Sequence, residues 1–478
     1  MALHKNYIDG EWVAGGSEKD NINPSDVTDI IGQYAQADAT QAHSAIAAAK
    51  AALPIWSATT PQQRADILEA IGVELLARRD DIGTLLAREE GKPKANGVAE
   101  TMRAAHIFKF FAQEALRVDG VAVPSVRPGV DITVTREPVG VVGLICPWNF
   151  PIAIPAWKIA PALAYGNTVV FKPADLVPGS AWALIEIAAR CGLPKGVLNL
   201  VMGRGSLVGE VMLHSRDVNA ISFTGSVGTG AKVALACAAR GAKFQLEMGG
   251  KNPLVILNDA NLDTAVAGAV DGAFFQTGQR CTASSRLIVE SHIHDAFVDK
   301  AIAAIKALKV DHALKDGTQV GPVVDETQLA QDEKYIDIGR KEAELAFGGE
   351  RLNRDTKGHY LSPALFINTT NDMRINREEI FGPVASVIKV GSYEEALAVA
   401  NDTEFGLSSG IYTNSLKAAT DFRKKSQAGM VMVNLPTAGV DYHVPFGGRK
   451  GSSFGPREQG RHAAEFYTAV KTAYVSAG

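Results

Sequence analysis

Cysteine is scarce in this 478-residue chain: Cys146, Cys191, Cys237 and Cys281 are the four present. No two are close enough to read as a CxxC pair, which excludes a zinc ribbon or a dithiol redox motif. Four cysteines in a chain this long do not make a disulfide framework; they fit a reducing compartment, where thiols stay free. Basic residues are not in excess. Lys and Arg number 48 against 52 Asp and Glu, a net charge of −4. No positive field gathers nucleic acid or anionic lipid. The opening MALHKNYIDGEWV lacks the apolar core of a signal peptide. Apolar stretches such as Gly140 to Ile145 are broken by Gly and Pro well short of the roughly 18 residues a membrane span needs. The expectation is a cytoplasmic protein without membrane, nucleic-acid or metal partners. A GxGxxG fingerprint, an internal repeat and a low-complexity linker are also missing.

What is there is an ordinary globular composition, 46% hydrophobic and 21% charged. At roughly 100–200 residues per domain the length suggests two or three domains. From about Ala39 to Gln113 the chain is Ala-rich with helical spacing, Ile67, Ile71, Leu75 and Leu76 sharing one face. Pro61 after Thr59 and Thr60 suits a helix start. From Val139 the texture changes. Short runs rich in Val and Ile (VGVVGLIC, NTVVFKPA, GVLNLVMG, VNAISFTGS, KNPLVILND) alternate with helical stretches at 155–164, 179–191, 206–214 and 228–240. This pitch predicts a parallel, doubly wound sheet with strands buried on both faces. A second alternating region begins near Asp263 and runs through RLIVES, LSPALFIN, SVIKV, SSGIYT and GMVMVN. Two α/β units invite a site in the crevice between them. Gly120–Thr135 and Glu465–Val475 alternate like strands but stand apart, and read as an arm whose edges a second subunit would cover.

The sharpest chemical signal is Gly278-Gln279-Arg280-Cys281-Thr282. A lone cysteine is more often a small buried apolar residue than a nucleophile, but these flanks suit a core poorly. A cation or helix N-terminus nearby would raise its thiolate fraction. Cys191 and Cys237 lie in Ala-rich helices and read as core; nothing near Cys146 activates it. Glu247 precedes Met248-Gly249-Gly250-Lys251, a turn that brings backbones close. It is either a solvated strand end or a general base. Asn149, in the loop CPWNFP stiffened by two prolines, is either a turn residue or an amide aimed at an oxyanion. Thr224-Gly225-Ser226 links a strand to a helix N-terminus, an anion site in principle. Gly203, Gly205 and Gly209 follow another strand in the same manner. Lys172 ends a strand, where nucleotide riboses lie in open α/β sheets. In EEIFGP, Glu378 reads as a solvated charge, whereas Glu379 could grip a ribose.

The ordered set PWNFP, FKPA, FTGS, Glu-x-Gly-Gly-Lys, GQRC, EEIFGP and PFGGRKGS resembles the aldehyde dehydrogenase superfamily over effectively the whole chain. Met248 departs from the commoner leucine, a volume-conserving change. The resemblance implies an α/β fold of two doubly wound domains with a small bridging, oligomerising sheet. Residues 1–119 and 136–246 would form the cofactor domain, 247–435 the catalytic domain, 120–135 and 462–478 the arm, and 436–461 a return segment. It implies that Cys281 attacks the aldehyde and passes through a hemithioacetal to a thioester, with Asn149 and the Cys281 backbone N–H stabilising the oxyanion and Glu247 activating the hydrolytic water. It places Lys172, Asp175, Trp148, Gly205, Thr224, Gly225, Ser226, Glu379 and Phe381 around NAD or NADP. It also implies a homodimer or homotetramer.

Arg280 beside the nucleophile suggests an anionic aldehyde whose distal carboxylate it would hold. Phe150, Trp157, Thr282 and Phe446 would line the tunnel. TAGVDYHVPFGG with PFGGRKGSSFGPREQG is similar to dehydrogenases acting on α-ketoglutaric semialdehyde (2,5-dioxopentanoate); succinic and other semialdehydes are the alternatives. Asp175 stands where NAD-preferring relatives often carry Glu, and its shorter side chain leaves room for a 2′-phosphate, a lean towards NADP with NAD tolerated. A coenzyme-A-acylating enzyme would share Cys281 but not Glu247. A cysteine hydrolase would need a histidine partner, and the motifs supply none. A non-catalytic relative of lens-protein type would not keep Cys281, Asn149 and Glu247 together.

Overall fold

The computed structural model describes residues 3–476. Residues 1–2 and 477–478, the ends of the segments assigned to the cofactor domain and the arm, lie outside the described residues. The organising element is an eight-stranded sheet whose centre is parallel. Val141–Ile145 lies at the middle, flanked on one side by Thr168–Lys172 then Leu198–Leu200, and on the other by Ala220–Thr224 then Lys243–Glu247. The chain therefore lays down three strands in one direction, returns to the centre, and builds in the other. Beside Val141–Ile145 the crossovers diverge, opening a crevice at the carboxyl ends of the strands. The central strands are apolar and buried on both faces, because helices cover the sheet above and below.

The helical region is four helices, Ala39–Ser57, Pro61–Ala77, Arg79–Glu90 and Lys94–Glu114. Thr60 is the cap of the second: its side chain accepts from the Gln63 N–H, Gln63 reaches back, and Pro61 opens the helix. The later helices follow the expected positions closely, at Ala153–Ala164, Pro178–Arg190, Glu210–His214 and Val227–Arg240.

Two parts of the sheet differ from the sequence reading. Asn6–Ile8 and Glu11–Val13 form a hairpin that pairs antiparallel onto Leu198–Leu200, closing one edge. These strands are three residues each, too short to carry a periodic pattern. KNPLVILND, grouped by texture with the first set of strands, instead gives Asn252–Ile256 in the second sheet, so that unit starts before Asp263. A strand apolar on both faces carries no mark of which sheet it joins.

The second sheet has seven strands, with Ser284–Glu290 near its centre between Asn252–Ile256 and Val384–Val390. All its pairings are parallel except that of Glu344–Phe347 with Ala364–Thr369. The arm is a separate three-stranded antiparallel sheet in which Thr468–Ser476 pairs with Val130–Pro138, and that strand with Val121–Pro124. Glu465–Tyr467, read as strand, belongs to a short helix that turns the chain into it.

Candidate active site

Four of the chemical residues sit at strand ends of the first sheet. Lys172, Thr224 and Glu247 each finish a strand, and Asn149 follows the central strand by four residues. All point to the crevice because the strands are parallel and end together. The second domain brings Cys281 to the same place. The helix Leu262–Phe274 ends in a turn where Gln276 and Thr277 take φ of 54° and 59°, a left-handed stretch that non-glycine residues seldom adopt. Asn252 holds the far side of the loop, its Nδ2 donating to the carbonyls of Cys281 at 2.8 Å and Ala283 at 2.9 Å.

Cys281 is the wall shared by two cavities. One, of about 480 Å³, is lined by Phe150, Trp157, Arg280, Thr282 and Phe446 among others. The other, of about 250 Å³, is lined by Trp148, Asn149, Thr224, Gly225, Ser226, Glu379 and Phe381 among others. Burial pushes the Cys281 thiol up to about 12, with the nearby Glu379 and Glu247 carboxylates adding to it; backbone N–H groups of Cys281 and Thr282 act the other way. The cation that the flanking sequence suggested does not prevail, and the balance of these influences favours the thiol over the thiolate.

Glu247 is buried, with Oε2 accepting from Ser453 Oγ at 2.6 Å and Oε1 without a protein partner among the described residues. Burial, and then the negative charge of Glu458, hold its carboxyl well above the usual range, so it is a stronger base than an exposed glutamate. Glu458 pairs with Lys158, which also donates to Ser222 Oγ at 2.7 Å. Lys158 and Glu458 are both buried, an ion pair whose charges act on Glu247.

Asn149 is also fixed from two sides. Its Nδ2 donates to the Gln279 carbonyl at 3.1 Å, and its own carbonyl accepts from Lys92 Nζ at 2.7 Å. Lys92 is 1% exposed, pairs with Glu100 at 2.7 Å, and lies 4.1 Å over the Phe150 ring. The other Glu100 oxygen accepts from the N–H groups of Ile152 and Ala153 at 3.1 Å each. One amide hydrogen of Asn149 thus secures the cysteine loop and leaves the second for the cavity.

The smaller cavity has the features a nicotinamide dinucleotide needs. Ser226 caps the helix Val227–Arg240, whose first N–H groups face the crevice end of the sheet. Thr224 Oγ1 is buried and lacks a partner among the described residues. Glu379 accepts from the Gly250 N–H at 2.9 Å, and a Cβ on Gly249 would overlap its Oε2, so only glycine leaves room for that carboxylate. Burial brings the Glu379 carboxyl up to about 7. Phe381, at φ 67°, meets Trp148 edge-on with ring centroids 5.4 Å apart. Lys172, Gly205 and Asp175 lie outside the lining of that cavity; Lys172 is buried and brought down to about 8 by desolvation, and Gly205 lies against its stem. Asp175 keeps one buried oxygen, Oδ1, without a partner among the described residues, while Oδ2 pairs with Lys19 at 2.8 Å. An acceptor and a cation at this strand end have the chemistry to fit an adenosine ribose with or without a 2′-phosphate.

On the other side, Trp157 and Phe446 stack with centroids 5.4 Å apart. Arg280 is in the wall, but its Nη2 donates to the carbonyls of Asp271 and Gly272, the latter at 3.0 Å, and Nη1 lies 3.9 Å from Asp271. Its fork is turned onto the preceding helix and away from the free orientation the sequence suggested. A second arginine, Arg103, lines the same cavity.

Residues 12–473 match the model of the aldehyde dehydrogenase family. The chain belongs to the aldehyde dehydrogenase family. It is 43% identical to an alpha-ketoglutaric semialdehyde dehydrogenase of Bacillus subtilis, over 98% of this chain and 97% of that one. It is 38% identical to a 2,5-dioxopentanoate dehydrogenase of Saccharolobus solfataricus, over 97% and 98%. A crystal structure of betaine aldehyde dehydrogenase from Staphylococcus aureus in complex with NAD+ superposes with a TM-score of 0.97 at 34% identity, covering 99% of this chain and 94% of that one. The enzyme is thus an oxidoreductase that oxidises an aldehyde with a nicotinamide cofactor. No helix among the described residues is long and apolar enough to cross a membrane.

Several residues of this aldehyde dehydrogenase site escaped the sequence reading: Lys92, Glu100 and Arg103 on or before one helix, Lys158 and Glu458 behind Glu247, and Lys19 beside Asp175. Lys158 alone left a trace, a charge inside the otherwise apolar run AIPAWKIAPALA. An ionisable group there must find a buried partner.

Proposed function

We propose that the enzyme oxidises α-ketoglutaric semialdehyde (2,5-dioxopentanoate) to α-ketoglutarate, using Cys281 as nucleophile and accepting NADP with NAD tolerated. The observation that carries the chemistry is the position of Cys281 as the wall common to both cavities. An aldehyde entering from the larger cavity and a cofactor lying in the smaller one meet at its sulfur. The two relatives named for this substrate, and the arginines in the wall of the larger cavity, support the choice of aldehyde.

Cys281 gives up its proton on attacking the aldehyde carbon, with Glu247 as the nearby base. The free Asn149 amide hydrogen and the Cys281 backbone N–H take the charge that develops on oxygen. A nicotinamide held beside Glu379, Phe381 and Trp148 would supply the hydride acceptor, and loss of that hydride from the hemithioacetal leaves a thioester on Cys281. Glu247, through Oε1, then takes a proton from water as it adds to the thioester carbon, and the sulfur leaves as the carboxylate product forms. Before the hydrolytic step Glu247 returns the Cys281 proton to solvent, so that its carboxylate is again free to accept one; the Glu458 carboxylate acts on it through its charge. Thr224, Gly225 and Ser226 would flank the pyrophosphate, with Gly205 and Lys172 at the adenosine ribose and Glu379, Phe381 and Trp148 at the nicotinamide end. Lys19 neutralises Asp175 and adds a cation where a 2′-phosphate would sit, which favours the NADP reading.

The arm leaves Val121, Val126, Val470 and Val475 exposed, and we assign this sheet to pairing with a second copy in a homodimer or homotetramer. Four free cysteines fit a cytoplasmic setting.

The test is formation of the reduced cofactor, followed by ultraviolet absorbance, from α-ketoglutaric semialdehyde, succinic semialdehyde and pentanal with each cofactor. The proposal predicts highest kcat/KM with α-ketoglutaric semialdehyde and loss of turnover in Cys281→Ala. Highest kcat/KM with pentanal would overturn the substrate, and turnover in the alanine variant would overturn the nucleophile.

A further inference from the structure

The helix Lys94–Glu114 presents Arg103 to the larger cavity, where Cys281 and Trp157 are also exposed. Its guanidinium lies 5.8 Å from the Trp157 ring. Nη1 donates to the Val440 carbonyl and Nη2 to Gln459 Oε1 at 3.1 Å, both neutral acceptors. Arg103 takes part in none of the ion pairs among the described residues. The nearest carboxylates are elsewhere engaged or in water: Glu100 is held by Lys92 and two backbone N–H groups, and Asp441 is exposed.

Arg103 is half-buried in the cavity wall, and a guanidinium partly withdrawn from water there has only two neutral acceptors in place of an anion. Arg280, in the same wall, is already answered by two carbonyls and Asp271. Arg103 is the cation left short of an anion. Each of its terminal nitrogens has one N–H beyond those already donated, and the planar fork suits a carboxylate.

We propose that Arg103 is the specificity-determining residue that receives the distal carboxylate of the aldehyde, while Arg280 acts as a fixed positive charge beside the nucleophile. This rests on the anionic-aldehyde reading above. The helix sets Arg103 by its backbone, and Val440 and Gln459 orient the fork, so the site is built before the substrate arrives. An uncharged aldehyde of equal length leaves the guanidinium as it was and gains nothing from it. The carboxylated one exchanges an uncompensated cation for an ion pair with charge-assisted hydrogen bonds.

The experiment compares wild type, Arg103→Met and Arg103→Lys on α-ketoglutaric semialdehyde and on pentanal, with thermal melting in the presence and absence of α-ketoglutarate as a binding readout. In Arg103→Met, kcat/KM for the carboxylated aldehyde falls on the order of a hundredfold, mainly through KM. Pentanal turnover stays within a few-fold, and the product no longer raises the melting temperature. Arg103→Lys restores part of both. An equal fall on the two aldehydes would make Arg103 a structural tie between Val440 and Gln459 and overturn the assignment, as would an unchanged preference in the methionine variant. Should Arg103→Met fail to fold, the lysine variant decides: a KM rise confined to the carboxylated aldehyde supports the proposal, and no selective change overturns it. A wild type that prefers pentanal defeats the anionic-aldehyde reading itself, whereas a wild type with the expected preference that survives in both variants defeats Arg103 alone.

Discussion

Replacing Lys92 with Met probes the anchoring of the Asn149 loop without touching any atom proposed to react. Methionine keeps most of the stem and its contact with Phe150 but removes the ammonium. Three things lose a partner: Glu100, 2.7 Å away; Glu90, 3.9 Å away; and the Asn149 carbonyl, 2.7 Å away. Glu90, Lys92 and Glu100 are all at least 95% buried, so water cannot take over. Breaking a buried pair by removing one partner costs about 3–5 kcal/mol, because the other charge is left behind. The denaturation midpoint falls accordingly. Catalysis falls as well, since a misplacement of about 1 Å in a catalytic group costs on the order of a hundredfold, and Asn149 is held on one side only by Lys92. Chemical denaturation and steady-state kcat are the assays, alongside the double variant Lys92→Met with Glu100→Leu. Removing the abandoned carboxylate recovers part of the lost stability but none of the lost kcat, because the Asn149 carbonyl still lacks its donor. Unchanged kcat in Lys92→Met would refute the claim that this lysine positions Asn149, and unchanged stability would refute the paired-charge account.

Glu247→Gln lowers steady-state turnover by about 10²–10⁴-fold through loss of deacylation. Because burial and Glu458 raise the Glu247 carboxyl, its basic form in the wild type is lost as pH falls through a range above that of ordinary carboxylates. The acid limb of the pH–rate profile therefore lies there and disappears in the glutamine variant; a limb in the usual carboxylate range would contradict this. Cys281, pushed up to about 12 by burial and then by Glu379 and Glu247, is alkylated by iodoacetamide more slowly at neutral pH than a free cysteine, with the rate climbing as pH rises. Fast, pH-independent modification of the Cys281 peptide in mass spectrometry would show a resident thiolate instead. Lys19→Ala weakens binding of NADP by about two- to fivefold and of NAD less, the modest size following from the exposure of Lys19. Equal shifts in the two dissociation constants by calorimetry would remove Lys19 from cofactor choice.

The residues legible from sequence share one property: they lie on short Gly- and Pro-punctuated loops next to strand ends. In PWNFP, FTGS, GQRC and EEIFGP the spacing of turn residues fixes the local backbone and offers Asn149, Thr224, Cys281 and Glu379 as candidates, while the roles expected of them came from the resemblance of the ordered set. The alternation of buried strands and helices likewise determined the fold class, since a parallel strand must be apolar on both faces and must return through a helix. That double-sided apolarity hid the sheet to which Asn252–Ile256 belongs. Only tertiary structure decided which charges lose water. Lys92 finds the Asn149 carbonyl 57 residues away, Lys158 finds Glu458 300 residues away, and Lys19 finds Asp175 156 residues away. In the sequence each is one charged residue among many. Arg280 and Arg103 make the same point in opposite directions: a position beside the nucleophile did not leave the first arginine's fork free, and a place in mid-helix did not keep the second out of the cavity. A side chain's type is written in the sequence, but its solvation and its partner depend on what the fold packs against it, and for an ionisable group those decide its chemistry.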